Sequence, residues 1–288
     1  MRGERVREAL VGYGFVGLPM FLFLLLFIYP IVYAIYISFH EWGIFGSQGY
    51  VGTDNYRELF HDDIFWRALK NTLYYTAGVV PAQMALGLFM AVTVNAAIRG
   101  RTFFRAAFYF PSLTSSAAIT AIAIYILSAD GLLNSIVGGH HSWFGSEDTA
   151  LESIMGLNAW TTSGTMMLFY LAALQSIPTD VYEAAAVDGT SRWRTFWRIT
   201  FPLLKPGHFF VAVVSVIGCL KVFDQAFIVS GGNGGPNYST LTAVLYLYRT
   251  AIADVRFGYA AAIGVALFLL IFVLTVIQRL IFGRPETA

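Results

Sequence analysis

Charged residues are scarce in this chain of 288 residues. Asp, Glu, Lys and Arg make up 12% of it, hydrophobic residues make up 57%, and the formal net charge is +1. A soluble domain carries about 25% charged residues, so the composition indicates an integral membrane protein. A net charge this close to zero gives no bulk attraction to nucleic acid, and we expect no nucleic-acid partner.

Lysine and cysteine are almost absent, and each shortage excludes a kind of site. The three lysines are Lys70, Lys205 and Lys221, and none of them follows a glycine. The chain therefore has no G-x-x-x-x-G-K-[ST] loop for nucleotide phosphates. If ATP and magnesium drive its function, they must bind to another polypeptide. The single cysteine, Cys219, cannot form an intrachain disulfide.

Long apolar runs predict an all-α, polytopic membrane helix bundle, because about 20 apolar residues cross a bilayer as a helix. The first run is too long for the apolar region of a cleavable signal, so we expect it to be a membrane anchor. We predict six spans, at roughly Leu10–Ser38, Thr72–Ala97, Phe103–Leu127, Ser153–Gln175, Leu203–Leu220 and Phe257–Leu280.

Basic residues predict the orientation of these spans, since loops rich in Lys and Arg stay in the cytoplasm. One set of segments holds Arg2, Arg5, Arg7, Arg99, Arg101, Arg105, Arg192, Arg194, Arg198, Lys205, Arg279 and Arg284. The opposite set holds only Arg57, Arg67, Lys70, Arg249 and Arg256, with Lys221 at a span end. We therefore expect both termini and the segment 180–206 to be cytoplasmic.

The segment from Asp180 to Pro206 is the one long charged stretch in an otherwise apolar chain. Asp180 and Glu183 have the spacing of a capping box, which predicts a helix start. Gly189 suits a left-handed helix end, and Thr190 or Ser191 can cap a second helix. The segment therefore predicts two short helices with a break between them.

Aromatic residues in the second half of this segment fall on one helical face. Trp193, Phe196 and Trp197 have i, i+3 and i+4 spacing and are flanked by three arginines. Pro202 and Pro206 suit the start of the next helix. Taken alone, this pattern also fits an amphipathic loop that rests on the lipid surface.

The order of residues in this segment closely resembles the EAA loop of importer-type ABC permeases, and its fuller sequence resembles their carbohydrate-uptake branch. Phe201 stands where that family usually has Leu. Segments near Asn55-Tyr56, Arg99–Arg101, Gly234–Pro236 and Phe257–Ala262 are also similar to the family. The matching residues of the loop are Glu183, Ala184, Ala185, Asp188, Gly189, Ile199 and Pro202.

This resemblance implies a single transmembrane permease domain, residues 1–288, in the cytoplasmic membrane. It implies no enzymatic activity, a homologous second permease, two ATP-binding cassette ATPases and an extracytoplasmic solute-binding protein. The implied substrate is a sugar or oligosaccharide. The loop at 180–206 would be the cytoplasmic coupling helix, and its ATPase-coupling residues would be Glu183, Ala184, Ala185, Asp188, Gly189, Trp193, Phe196, Ile199 and Pro202.

Polar residues on the spans that flank this loop are the candidate solute contacts. The family's maltose-type permeases bind sugar on these helices, and buried polar groups in a membrane often mark a pathway. Hydrogen bonds between helices are the alternative for each residue, and an i, i+3 ion pair is the alternative for Lys221 and Asp224. The candidates are Asn158, Thr162, Thr165, Ser215, Cys219, Lys221 and Asp224.

Two external loops carry further patterns. His140 and His141 are adjacent and have no third ligand at a zinc spacing, so we expect no metal. The glycine-rich loop Ser230–Asn237 fits either a contact with the binding protein or a simple hairpin between helices.

Three other functions remain as alternatives. A related importer for glycerol phosphate or another polyol would share the same motifs. An ion-driven secondary transporter would need carboxylates in mid-membrane or inverted repeats, and a membrane enzyme would need a clustered catalytic set. The spans contain almost no central carboxylate.

Overall fold

The computed structural model describes residues 2–96 and 99–282, with side chains from residue 12 onward. The helices are α1 Arg2–Phe23, α2 Tyr29–Ser38, α3 Asp54–His61, α4 Asp63–Asn95, α5 Arg101–Leu113, α6 Ser116–Ile126, α7 Leu132–Val137, α8 Ala150–Gln175, α9 Thr179–Val187, α10 Arg192–Thr195, α11 Phe201–Leu203, α12 Lys205–Leu220, α13 Asp224–Ser230, α14 Ala243–Ile252 and α15 Phe257–Phe282. Strands β1 His40–Gly43 and β2 Gly46–Tyr50 form a hairpin, and π-helical turns occupy Leu24–Ile28 and Phe196–Thr200.

Helices dominate the described chain, which confirms the predicted all-α membrane class. The stretches long and apolar enough to cross a membrane are Gly12–Ser38, Asp63–Asn95, Lys205–Ser230 and Phe257–Phe282. They coincide with four of the six predicted spans. The predicted orientation depended partly on Arg2, Arg5, Arg7 and Arg284, whose side chains lie outside the described residues. Ala97, the predicted end of the second span, also lies outside the described residues.

The third predicted span is not one straight helix. Helices α5 and α6 meet at an angle of 90°, and Thr114 between them has an extended backbone. The Thr114 hydroxyl donates to the Phe110 carbonyl at 3.2 Å, and Ser and Thr hydroxyls of this kind compete with helix continuation. The stretch Phe103–Leu127 is therefore broken near Thr114, where hydroxyl residues interrupt the apolar run, and its role as a span stays a prediction.

The fourth predicted span corresponds to α8. This helix has 26 residues and so extends about 39 Å at 1.5 Å per residue. It has Glu152 in its first turn and five buried polar or small residues, which are Ala150, Asn158, Ala159, Ser163 and Gly164. Its length is sufficient for a span, and its polarity is accommodated by packing inside the protein.

The chain divides into two compact units. One unit comprises the chain up to Asp62 together with Thr250–Leu267, and the other comprises Asp63–Arg249 together with the chain from Phe268 onward. The predicted single permease domain over 1–288 stays a prediction.

In the first unit, a two-stranded hairpin follows α2 and is held in place by α3. Strands β1 and β2 pair antiparallel, with His40 opposite Tyr50 and a register shift next to Trp42. The amide of Asn55 on α3 donates to the carbonyls of Ser38 and His40, at 2.9 and 3.1 Å. A buried amide that satisfies two backbone carbonyls holds the hairpin and α3 in one arrangement.

In the second unit, α4, α8 and α12 pack around an apolar core. Two clusters fill the space between them, one around Tyr75 and Ile154 and the other around Met167, Tyr170 and Leu204. Each of these side chains is at most 1% exposed. This three-helix packing fixes the positions of the residues that flank the segment 180–206.

Close approach of α4 and α8 depends on Gly87. A Cβ at this position would lie 2.7 Å from Cβ of Met166 and 3.0 Å from its carbonyl carbon. Contacts that short force backbones apart, because helix backbones cannot yield as a flexible side chain can. Small residues at helix crossings are the usual means of close packing in membranes.

We predict that Gly87→Ala lowers the thermal unfolding temperature of the detergent-solubilised protein, with a cost of about 1–3 kcal/mol from overpacking. Gly156→Ala on α8 is the matched control, since a Cβ there meets nothing within 4 Å. Alanine favours helices over glycine, so the control should unfold at the wild-type temperature or slightly higher. Equal unfolding temperatures for the two variants would contradict the packing described here.

Candidate functional site

The segment Thr179–Leu204, here called the elbow, forms a helical hairpin between α8 and α12. Helix α9 begins at Thr179 directly after Pro178, which offers no side-chain cap. The predicted capping box between Asp180 and Glu183 is wrong, because Asp180 lies inside the helix rather than before it. Its carboxylate still sits in the first turn, where the helix dipole favours a negative charge.

The break inside the elbow has the predicted position. Gly189 has φ +65°, and its N–H donates to the Ala186 carbonyl at 3.1 Å. The Thr190 N–H and hydroxyl both donate to the Ala185 carbonyl, at 3.1 and 2.8 Å. These bonds make a Schellman-type helix end, which requires the left-handed residue that glycine supplies. Ser191 caps the next turn by accepting from the Arg194 N–H at 3.4 Å, as predicted.

One side of the elbow is exposed. Val187 is 88% exposed and Trp193 is 72% exposed. The Trp193 and Trp197 rings lie 5.6 Å apart, and Phe196 and Trp197 lie 5.1 Å apart, so the predicted aromatic face is present. Of the nine residues predicted to couple to an ATPase, Ala185 is buried, Phe196 and Ile199 are half-buried, and the exposed ones are Glu183, Ala184, Asp188, Gly189, Trp193 and Pro202.

The opposite side of the elbow is seated on the ends of α4 and α8. Leu204 is 1% exposed and packs in the cluster that contains Leu174 of α8 and Val94 of α4. The Thr200 hydroxyl donates to the Tyr182 hydroxyl at 3.3 Å and ties the two halves of the elbow together. A movement of the elbow is therefore a movement of the helices beneath it, because close-packed interiors transmit displacement.

At the other end of α12, three of the candidate solute contacts share a cavity. Asn158 of α8 lines a cavity of about 210 Å³ together with Lys221, Asp224 and Gln225. Among the described residues Lys221 has no ion pair with Asp224, and both residues line the cavity. This set offers donors and acceptors that match the hydroxyl groups of a polar solute.

Two other candidates are joined by a residue that the sequence did not indicate. Gln83 of α4 is 2% exposed. Its carbonyl accepts from the Thr162 hydroxyl, and its amide donates to the sulfur of Cys219 at 3.7 Å. Gln83 thus links α4, α8 and α12. A lone amide in an apolar run was the only signal for it.

The remaining candidates have separate surroundings. The Ser215 hydroxyl is buried and donates to the sulfur of Met166 at 3.3 Å, and Thr165 is half-buried on α8. Of the two adjacent histidines, His140 lies 3.3 Å from an Asp130 carboxylate oxygen and His141 lies 3.0 Å from the Thr149 hydroxyl. The solute role of all seven candidates stays a prediction.

The glycine-rich loop after α13 is tied to the start of α4. The Asn71 amide donates to the carbonyls of Tyr238 and Leu241, at 2.8 and 3.0 Å. Asn237 donates to a Glu147 carboxylate oxygen at 2.9 Å. These contacts give the loop a defined shape on the same side of the second unit as the cavity end of α12.

Known proteins resemble this chain over most of its length. Residues 83–286 match the family described as the inner membrane component of binding-protein-dependent transport systems. The chain belongs to this family. The predicted resemblance to ABC importer permeases is thus confirmed, and the elbow lies inside the matched range of this permease.

Curated relatives match the permease across nearly their whole length. A probable ABC transporter permease protein, YesP of Bacillus subtilis, is 34% identical over 278 residues, covering 94% of this chain and 90% of the relative. The multiple sugar-binding transport system permease protein MsmF of Streptococcus mutans is 34% identical, with 93% of each chain covered. The lactose transport system permease protein LacF of Rhizobium radiobacter is 33% identical, with 93% and 92% covered.

Solved structures share the fold of this permease. A chain of a bacterial alginate ABC transporter, in complex with an alginate pentasaccharide-bound periplasmic protein, matches with a TM-score of 0.85 over 99% of this chain and 98% of that chain. The sequence identity is 22%, so this match concerns the fold. An amino acid ABC transporter chain matches more weakly, with a TM-score of 0.54.

We predict that Thr162→Val destabilises the permease by about 1 kcal/mol, because it removes the hydroxyl that donates to the buried Gln83 carbonyl. Gln83→Met should cost no more than this through the same bond, because the Thr162 hydroxyl keeps the Asn158 carbonyl as an acceptor at 2.7 Å. The double variant should cost less than the sum of the two, since both remove one interaction. Thermal unfolding in detergent measures the cycle. Thr165→Val on the same helix is the control, and strictly additive costs would contradict a link between Gln83 and Thr162.

Proposed function

We propose that this protein is a permease subunit of an ATP-driven importer, and that with a homologous subunit it forms the path for a sugar or oligosaccharide. The observation that carries this proposal is the elbow, with one side exposed and the other seated on α4 and α8. Relatives named for multiple-sugar and lactose transport support the solute class. The alginate transporter with its bound periplasmic protein supports a binding-protein partner.

In this proposal six spans cross the cytoplasmic membrane and both termini are cytoplasmic. Four apolar stretches serve as spans directly, the bent pair α5 and α6 serves as a fifth, and α8 as the sixth. The basic residues of the elbow support a cytoplasmic location for it. The cavity end of α12 then lies toward the outer side, because Lys221 stands about 24 Å along the span that begins at Lys205.

Two partner ATPases supply ATP and magnesium chemistry beneath the elbow. Their closure on ATP moves the elbow, which enters a groove as a helix with an exposed face. Glu183 pairs with a basic group of the ATPase, Gly189 permits the turn, and Trp193 becomes buried. Because α12 connects the elbow to the cavity residues, this movement changes access to the cavity. The permease itself performs no covalent chemistry.

The solute contacts of this proposal are Asn158, Lys221 and Asp224. An amide, an ammonium and a carboxylate around one cavity provide both hydrogen-bond donors and acceptors for sugar hydroxyls. The second permease contributes the facing part of the path, because a cavity of about 210 Å³ is smaller than the sites that enclose drug-sized ligands, about 300–1,000 Å³.

We predict that Glu183→Lys prevents stable association of the ATPases and leaves membrane insertion intact, because it places like charge at a buried contact. Co-purification of the ATPases with the permease measures this. Asp130→Lys is the matched charge reversal, with a side chain 91% exposed on a loop predicted to be external. ATPase yields equal to wild type for Glu183→Lys would refute the coupling role of the elbow.

We predict that Lys221→Met raises the KM for solute uptake about tenfold, because hydrogen bonds to a charged group contribute about 1.5–3 kcal/mol. Uptake by proteoliposomes that contain the assembled importer and its loaded binding protein provides the measurement. Lys70→Met removes the same charge from an exposed position on α4 and should leave KM unchanged. An unaltered KM in Lys221→Met would remove Lys221 from the solute site.

A further inference from the structure

The junction between the elbow and α12 is interrupted as a helix. Pro202 lies in α11, and Pro206 lies in the first turn of α12. Because proline has no N–H, Pro206 cannot donate to the Pro202 carbonyl four residues earlier. Leu204, between the two prolines, has ψ 4° rather than a helical value. The backbone therefore contributes less stiffness here than in a continuous helix, and side chains decide how firmly the elbow is joined to α12.

The imidazole of His208 spans this interrupted junction. Its Nε2 lies 3.2 Å from the carbonyl oxygen of Phe201, which is seven residues earlier. The imidazole ring also lies against the Phe201 ring, with centroids 4.5 Å apart. A carbonyl oxygen can only accept a hydrogen bond, so Nε2 carries the proton and donates. His208 thus joins α12 to the last part of the elbow across both prolines.

The other ring nitrogen of His208 is bonded to α8. Its Nδ1 lies 3.0 Å from the hydroxyl oxygen of Tyr170, and the two rings meet edge-on with centroids 5.4 Å apart. With the proton on Nε2, Nδ1 of the neutral ring is an acceptor, so the Tyr170 hydroxyl donates to it. Tyr170 is 1% exposed, so this bond anchors the imidazole to the apolar core.

Helix α12 begins in close contact with α8 beside this histidine. A Cβ on Gly207 would lie 2.7 Å from Cβ of Ala173, so the two helices approach as closely as a glycine permits. His208 follows Gly207 directly, and its ring is therefore held where α8, α11 and α12 meet. Both ring nitrogens are used, and each bonds to a different neighbouring element.

We propose that His208 is the positioning residue that makes the elbow, α8 and α12 move as one body. This inference rests on the proposed function, in which a partner ATPase displaces the elbow. With both nitrogens bonded, a displacement of the elbow reaches α8 and α12 together. Without these bonds the interrupted junction bends and absorbs the displacement, so the ATPases hydrolyse ATP while less solute crosses the membrane. His208 acts through the elbow rather than on the solute.

The test measures solute uptake and ATP hydrolysis in the same proteoliposomes, which contain the assembled importer and its loaded binding protein. His208→Leu removes both nitrogens, so the number of solute molecules transported per ATP should fall about tenfold, the scale of losing two hydrogen bonds. The rate of ATP hydrolysis should stay close to that of wild type, because the exposed side of the elbow is unchanged. His208→Gln supplies a new donor toward the Phe201 carbonyl and should recover most of the wild-type ratio.

His61→Leu is the matched control for loss of an imidazole. The His61 ring is exposed and bonds to the Arg57 carbonyl of its own helix at 2.8 Å. The ratio of solute to ATP should therefore equal that of wild type in this variant.

Tyr170→Phe is an independent variant, since it removes the hydroxyl and keeps the packed ring. It should also lower the ratio of solute to ATP, and it decides the question if His208→Leu does not assemble. A wild-type ratio in either assembled variant would overturn the proposal. So would equal falls in uptake, hydrolysis and thermal unfolding temperature, which a purely structural role predicts. Absence of ATP-driven uptake by the wild-type complex is a different result, and it would refute the proposed function itself.

Discussion

The packing of the elbow against the ends of α4 and α8 is the contact on which its proposed mechanical role depends. Leu204 is buried there among apolar side chains of both helices, while Val187 and Trp193 on the other side are exposed. A segment with one buried side and one exposed side can transmit a displacement from a partner into the helices. A segment that touched only lipid could not do so.

The same three-helix packing connects the elbow with the cavity. Helix α12 leaves the elbow at Lys205 and ends at Leu220, which is about 24 Å at 1.5 Å per residue. Gly87 brings α4 and α8 into backbone contact, and Gln83 adds a polar link from α4 to both other helices. Close packing and a satisfied polar link make these helices resist independent motion.

Local features of the elbow were predictable from the sequence, whereas contacts between distant segments were not. Gly189 and Ser191 act through neighbours within five residues, so their roles follow from the residue type alone. The helix start was predicted wrongly, because Pro178 places Asp180 inside α9. The role of Gln83 depends on Thr162 and Cys219, which are 79 and 136 residues away.

Long-range geometry also explains the other differences. The break at Thr114 was hidden inside an apolar run, and the hairpin at His40–Tyr50 was too short and too rich in glycine to give a clear alternating pattern. Of the seven candidate solute residues, the structure brings Asn158, Lys221 and Asp224 to one cavity. Helix position indicated the right region, but only the packing shows which side chains share a space.

Spin-label distances between the elbow and the cavity measure whether the two move together. Labels at Val187 and Lys221, in a Cys219→Ser background and in the assembled importer, report the distance between the elbow and the cavity end of α12. A rigid connection predicts the same Val187–Lys221 distance distribution without nucleotide and with ATP bound, while the distance from Lys221 to the second permease changes. A shift in the Val187–Lys221 distance with the cavity unmoved would contradict it.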